Sequence, residues 1–460
     1  MLRSLFLLLL IVATGCGGGG GGSTASAPAP VAPVVDNCAA PGQKDFVKQV
    51  ANAWYLWYRE LASVDSDDYA TANEYLAALT NPLVDDGRDP GYSYVTTKAE
   101  DEAALSSGAY VGFGFRYDVL AGNRFFLADV LQGSPADDAG LARGVEVLAI
   151  DMGEGFETIN ELAEREATLE EIFGPSEVDV ERLFRVLQSG SERDVVLVKR
   201  ELTTPPLAVD PLLIERPGLS PVGYLNLRQF ISTAEEPLNE AMATFADAGV
   251  TDLVVDFRYN GGGLLTVSEQ VLNLLGGRIA EGRESFRISH NDKNTTEDET
   301  WIFSPLENSL EPLRIAFVTT EYTASASELV INGLAPEVEL VLVGRDTRGK
   351  AVGQYAFDQE GCDTRLRLVA FELVNGQGQG GYYNGLASTG RFTLCAAGDD
   401  VTRAFGDPGE SSLDAALSWL NAGQCPANTS VSASRRAVES KPWALRDAPD
   451  LVEAKSLRWQ

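Results

Sequence analysis

One serine and one lysine are the residues of this chain best placed to do chemistry. Ser325 stands in Thr323-Ala324-Ser325-Ala326-Ser327-Glu328, after an apolar β-like run at 314–319 and at the start of a helical run. Lys350 follows 25 residues later, in Arg348-Gly349-Lys350-Ala351. A serine hydroxyl is a weak nucleophile until a base takes its proton. The only histidine, His290, lies in the polar stretch Ser289-His290-Asn291-Asp292, which reads as a loop with no strand to position it. A Ser-His-Asp triad would need that residue, so the base must be of another type. A lysine amine can serve if burial lowers its pKa from about 10.4 to near 7 or 8. Ser327 is a rival nucleophile, but two residues along a helix turn it about 200° away from Ser325. Taken singly, Ser325 with Glu328 three residues on is the pattern of a helix cap, and Lys350 is a turn lysine.

The surrounding pattern brings the two together. Past Pro205-Pro206 the chain alternates strands (222–230, 253–257, 314–319, 339–343) with helices (236–248, 264–275, 325–334), which defines an α/β class. If the last two strands are parallel neighbours joined by a helical crossover, Ser325 and Lys350 both lie beyond strand carboxyl ends, where open α/β sheets place their sites. Gly261-Gly262-Gly263 follows the strand 253–257 and reaches the same edge. Glycines let backbone N–H groups approach a ligand, so Gly262, Gly263 and the Ala326 amide at the helix start form a candidate oxyanion hole.

Upstream, residues 38–107 read as a small helical domain, with Phe46, Val50, Trp54, Trp57, Tyr58 and Leu61 at three- and four-residue steps. The cluster Asp65, Asp67, Asp68 lacks the glycine and distal glutamate of a calcium loop and reads as an acidic cap. Residues 108–203 change to short strands. The loop Gly112-Phe113-Gly114-Phe115, then Gly133-Ser134-Pro135-Ala136-Asp137-Asp138-Ala139-Gly140-Leu141 and the strand after it, resemble a PDZ domain. In such a domain loop amides take a peptide carboxylate and a groove adds the peptide as a strand. Residues 154–189 read as a mostly helical insertion, 204–430 as the core domain, and 431–460 as an aperiodic tail.

The N-terminus sets the compartment. Arg3, the apolar run 5–12 and Ala13-Thr14-Gly15-Cys16 look like a lipoprotein signal peptide over residues 1–15, with Cys16 lipidated. The apolar run is far shorter than the ~20 residues of a membrane span. Residues 16–37, rich in Gly, Ala and Pro, are a tether. Gly17 is not the Asp that retains lipoproteins at the inner membrane, which leans the location in the cell envelope to the outer membrane, on its periplasmic side. Cys38, Cys362, Cys395 and Cys425 remain, enough for two disulfides in an oxidising compartment. Of three possible pairings, Cys362 with Cys395 and Cys38 with Cys425 is favoured. No CxxC or Cys/His cluster is present, so neither a metal nor another cofactor is expected. A formal net charge of −31 repels nucleic acid and anionic headgroups as partners.

These motifs together resemble the C-terminal processing, or tail-specific, serine protease family. The resemblance rests on Val222-Gly223-Tyr224-Leu225, Val255-Asp256-Phe257-Arg258-Tyr259-Asn260-Gly261-Gly262-Gly263, the Ser325 segment, and Gly349-Lys350 with Gln354. It implies Ser325 as nucleophile, Lys350 as base and Gln354 supporting the lysine. It also implies a crotonase-like core of βα units, a PDZ domain that recruits or gates substrate, and protein or peptide substrates. Against it stand a catalytically silent PDZ lipoprotein that binds peptide tails, and a hydrolase for small esters using the same dyad. The oligomeric state cannot be read from the sequence.

Overall fold

The computed structural model describes residues 37–426 apart from Asp85. The signal peptide, Cys16, the tether and the tail lie outside the described residues.

Six strands form the central sheet, in the order Leu212–Ile214, Val222–Asn226, Asp252–Asp256, Arg314–Thr319, Glu339–Gly344, Leu394–Ala396. The first pair is antiparallel and the remaining four are parallel. Every residue of Val222–Asn226 and Asp252–Asp256 is buried, as expected of strands covered on both faces. The helices Glu235–Asp247, Leu265–Gly276 and Ala326–Leu334 put Leu238, Phe245, Val271, Leu275, Leu329 and Leu334 into one apolar layer. The helix Ser411–Ala422 covers the other face with Leu413, Ala416, Trp419 and Leu420. The mixed α/β class and the core strands follow the expectation.

A second, antiparallel sheet holds Tyr94–Thr97, Thr364–Asn375, Glu284–His290, Glu299–Ile302 and Val352–Asp358. His290 is therefore the last residue of a paired strand, not a loop residue. Its side chain is fully buried, with Nδ1 3.0 Å from Asp298 Oδ1 and Nε2 2.9 Å from the Tyr355 hydroxyl. The misreading came from its polar neighbours: Asn291 and Asp292 begin the turn only after the strand ends.

The N-terminal segment is helical over Ala40–Trp54, Ala72–Thr80 and Lys98–Ser107, and Asp65 caps the short turn Ser66–Asp68. It also gives the strand Tyr94–Thr97 to the second sheet, paired with Thr364–Arg367, so its chain runs directly into the core. Asp89 locks this junction. Its fully buried carboxylate accepts the Tyr55 hydroxyl at 2.9 Å, Ser93 N–H at 3.1 Å and the Ser93 hydroxyl at 2.7 Å. Ser93 Oγ in turn accepts from Val369 N–H at 3.1 Å.

The middle region pairs Phe115–Leu120, Arg124–Val130, Glu146–Asp151, Glu181–Gln188 and Ser191–Val198 into one antiparallel sheet, with Phe156–Thr158 attached. Its own apolar core contains Phe113, Phe115, Phe173 and Phe184. The stretch read as mostly helical holds only the short helices Ile159–Glu164 and Leu169–Phe173, then the strand Glu181–Gln188. That strand forms a hairpin through Ser189-Gly190, where φ is +52° and +78°. Two successive positive φ values mark a turn matched to the twist of strand pairs, a signal that the charged residues around it concealed.

Both disulfides differ from the favoured pairing. Cys38 joins Cys362, and Cys395 joins Cys425, with Cα separations of 5.4 and 5.2 Å. The reason is sheet membership. Cys362 sits between two strands of the antiparallel sheet, beside the start of the first helix, where Gln43 Nε2 reaches Thr364 Oγ1 at 3.0 Å. Cys395 lies on the parallel sheet, under the helix that leads to Cys425. A non-reducing peptide map should yield these two linkages and neither of the other pairings. Replacing Cys395 and Cys425 by serine should cost about 2–4 kcal/mol in chemical unfolding.

Candidate active site

Thr319 pairs with Gly344 in parallel register, so the segments leading to Ser325 and Lys350 leave neighbouring strands at one edge. The path to Ser325 is held by side chains. Thr323 Oγ1 donates to Phe257 O at 2.9 Å, and Ala324 N–H donates to Asn260 O at 3.1 Å. Ser325 adopts φ +54°, ψ −114°, unlike the extended backbone usual at a helix N-cap. A non-glycine residue there is strained, and such strain persists only where surroundings over-determine it. Ser327 is fully buried and donates its hydroxyl to Asn260 O at 3.1 Å, so it is committed to the scaffold.

Glu328 joins the serine segment to the lysine turn. Its buried carboxylate accepts Ser325 N–H at 2.9 Å, Gly349 N–H at 2.8 Å and Lys350 N–H at 2.8 Å. Gly349 has φ +95°, and a Cβ there would lie 2.4 Å from Tyr383 O, so only glycine fits this turn. The Lys350 amine donates to Gln354 Oε1 at 2.5 Å and lies 4.9 Å from the centre of the Tyr92 ring. Gln354 Nε2 donates to Tyr92 O, which fixes the amide with its oxygen toward the lysine. Burial draws the Lys350 pKa down to about 8, against the pull of Asp89.

The glycine turn comes to the same place. A Cβ on Gly262 would stand 2.8 Å from Ser325 Cβ and 2.9 Å from Ala326 N. The Gly262 N–H itself is taken by Asn260 Oδ1 at 2.9 Å, so it is not the oxyanion donor expected from the sequence. Its contribution is the close approach. Ser325, Lys350, Gln354, Gly262 and Gly263 share one cleft of about 410 Å³. Among the described residues no cluster of His, Cys, Asp and Glu could hold a metal ion.

Three supports escaped the sequence reading. Tyr92 and Asp89 come from the N-terminal segment. Beneath the glycine turn, Arg258 is buried between Asp256, Asp399 and Glu410 at 2.9, 2.7 and 2.9 Å. Burial opposes its charge, but the three carboxylates hold its pKa above the ordinary arginine value. Of these, only Asp256-Phe257-Arg258 carried a signal, as an odd pair of charges at the end of a buried strand.

Residues 221–387 match the model of Peptidase family S41, and residues 42–94 match the Peptidase S41 N-terminal domain. The carboxyl-terminal-processing protease of Synechocystis sp. is 27% identical over 310 residues, 66% of this chain and 67% of that protein. The "Probable CtpA-like serine protease" of Staphylococcus aureus is 24% identical over 298 residues, 63% of this chain and 55% of that one. A crystal structure of the "Putative S41 protease" from Bacteroides fragilis shares the fold, with a TM-score of 0.65 over 82% of this chain and 97% of that one at 23% identity. The family model and the sequence relatives together define a serine peptidase. The chain belongs to the C-terminal processing proteases of peptidase family S41.

Burial lifts Glu328 from 4.5 to about 7, so the folded chain keeps a proton that the unfolded chain releases. The stability this gives is full below pH 4.5, is lost as the pH rises through 7, and should vanish as a slope in Glu328→Gln. Glu328→Ala, which strands three buried N–H groups, should cost about 2–5 kcal/mol in urea unfolding.

Proposed function

We propose that the chain is an endopeptidase that cuts exported proteins or peptides near their C-termini, with Ser325 as nucleophile, Lys350 as general base and Gln354 holding the lysine. The observation that carries this reading is a buried amine with a pKa near 8 sharing one cleft with a serine on a strained turn. Neutral Lys350 takes the Ser325 proton as the hydroxyl oxygen attacks the peptide carbonyl. The oxyanion that forms is met by the amides of Gly263 and Ala326. Lys350 then gives its proton to the leaving amine, and water hydrolyses the acyl-enzyme by the reverse path.

The middle domain is a PDZ-type module in this reading. Its support is an apolar hollow lined by Tyr117, Val119, Leu162, Ile172 and Phe173, beside the edge strand Phe115–Leu120. Phe113 and Phe115 of the Gly-Phe loop are fully buried, and Gly112 and Gly114 shape the chain around them. A lipid on Cys16 tethers the enzyme to the cell envelope, at the outer membrane. Cys16→Ser should move the protein from the membrane fraction to the soluble fraction, and a variant still sedimenting with membranes would refute the anchor.

Casein turnover should fall about a thousandfold or more in Ser325→Ala and in Lys350→Ala, while Ser327→Ala keeps the wild-type nucleophile. Loss of activity in Ser327→Ala with Ser325→Ala intact would overturn the assignment. Because the base must be neutral, kcat/KM should rise about tenfold per pH unit below 8 and level off above it.

A further inference from the structure

His290 is the only histidine in the chain, and the chemistry proposed above leaves it without a task. Its side chain is fully buried, yet one tyrosine joins it to the cleft that holds Ser325. Asp298 Oδ1 lies 2.8 Å from the His290 backbone nitrogen and 3.0 Å from Nδ1. A carboxylate can only accept, so Nδ1 carries the ring proton and Nε2 keeps its lone pair. The Tyr355 hydroxyl, 2.9 Å away, donates to that lone pair. The Tyr355 ring stacks on the imidazole at 5.5 Å and 21°. Trp54 of the first helix stands edge-on to both rings, 6.0 Å from Tyr355 and 6.4 Å from His290, and Phe371 packs on Tyr355 at 4.8 Å.

Tyr355 is the residue after Gln354, and the strand Val352–Asp358 needs an anchor at that point. Among the described strands it pairs only with Thr364–Asn375. The register slips beside Gln354: Gly353 faces Phe371 and Gln354 faces Val369, which leaves Ala370 without an opposite residue. A bulge of this kind disrupts the ladder locally and re-aims side chains. Val369 directs its own groups to the N-terminal segment: its N–H donates to Ser93 Oγ at 3.1 Å, and its carbonyl accepts Leu56 N–H at 3.0 Å. A Cβ on Gly353 would stand 1.9 Å from the Phe371 ring, so that ring lies directly on the bulge. The Gln354 side chain leaves the strand at this irregular place and accepts from the Lys350 amine at 2.5 Å.

We propose that Asp298, His290 and Tyr355 form a buried positioning chain that pins the bulge at Gln354 and so keeps the Lys350 amine against its acceptor. The proposal rests on the reading of Ser325, Lys350 and Gln354 given above. His290 is not a general base in this arrangement, because its unprotonated nitrogen is taken by Tyr355. Its effect passes through Tyr355 to Gln354 and then to Lys350. Misplacing a reacting group by about 1 Å can cost about a hundredfold in rate.

The test is steady-state kinetics of the full chain on one fluorogenic peptide taken from casein, with the fold of each variant checked by urea unfolding. Tyr355→Phe deletes only the hydroxyl and should lower kcat about tenfold while KM stays within about twofold. His290→Ala should do the same, and the double variant should be no worse than either. His290→Gln, which keeps an acceptor near the place of Nε2, should recover part of the rate. In a Gln354→Ala background Tyr355→Phe should cost nothing more, a coupling that a general loss of stability would not reproduce. Tyr355→Phe at the wild-type rate, while Ser325→Ala and Gln354→Ala are impaired, overturns the positioning chain alone. So does a rise in KM at constant kcat, which would make Tyr355 a substrate contact, or an undiminished effect of Tyr355→Phe in the Gln354→Ala background. One measurement needs no variant: an untagged chain has a single imidazole, and its nitrogen NMR spectrum should show the neutral ring protonated at Nδ1. A ring protonated at Nε2 overturns the proposal even where a variant fails to fold. Wild-type cleavage by Ser325→Ala or by Gln354→Ala is a different failure, that of the catalytic reading itself.

Discussion

A single buried carboxylate holds the candidate active site together. Glu328 takes N–H groups from Ser325 on its own segment and from Gly349 and Lys350 on the next crossover. Backbone donors left unpaired in a buried site are costly, so this arrangement forces the two turns to keep one spacing. A helix cap and the scaffold of the candidate site are the same object here. The glutamate that would simply begin a helix in another protein reaches past the helix start and fixes the lysine turn. That explains why Ser325 can occupy a strained backbone conformation: its neighbours are bound on both sides, and relaxation would break several hydrogen bonds at once.

The layers beneath repeat the principle with charge. Arg258 sits under the glycine turn with three carboxylates, and one of them, Asp399, also meets Arg143 from the middle domain. Arg228 of the core binds Asp129 of the middle domain, and Arg116 of that domain binds the carbonyl of Tyr259. Buried ion pairs add little net stability over apolar packing, but breaking one partner is expensive. Their value here is positional. The turn that approaches Ser325 is gripped by residues from the middle domain, so the placement of that domain and the shape of the cleft are one mechanical problem.

Much of this was legible in the sequence, for identifiable reasons. The parallel strands were visible because both faces are covered and their sequences run almost uninterrupted in Val, Leu and Phe. Ser325, Lys350 and the glycine turn were visible because a parallel sheet gathers strand ends at one edge, whatever the details of packing. The failures share a different cause. Cysteine pairing, the strand ending at His290 and the contribution of Tyr92 all depend on which sheet a segment joins, and sequence neighbourhood says little about that. Glu181–Gln188 was missed because its outward residues are charged and its turn is made by Ser189, a residue seldom found at positive φ. Gly262 lies beside Ser325, but its amide goes to the side chain of Asn260, two residues earlier, which periodicity could not reveal.

The N-terminal segment sets the surroundings of the Lys350 amine. Tyr92 lies against the amine, and its carbonyl fixes the Gln354 amide, so the amine has an acceptor at 2.5 Å. Left to burial alone, the lysine would be lowered further; Asp89 pulls the other way. Asp89 is itself buried and surrounded by three donors, and burial raises its own pKa. The balance leaves the amine near 8. At pH 7 that leaves the amine neutral in about one molecule in ten. A lysine at its ordinary pKa would be neutral in fewer than about one molecule in a thousand. The N-terminal segment thus sets the surroundings of the Lys350 amine, and with them the proton equilibrium on which the proposed chemistry depends.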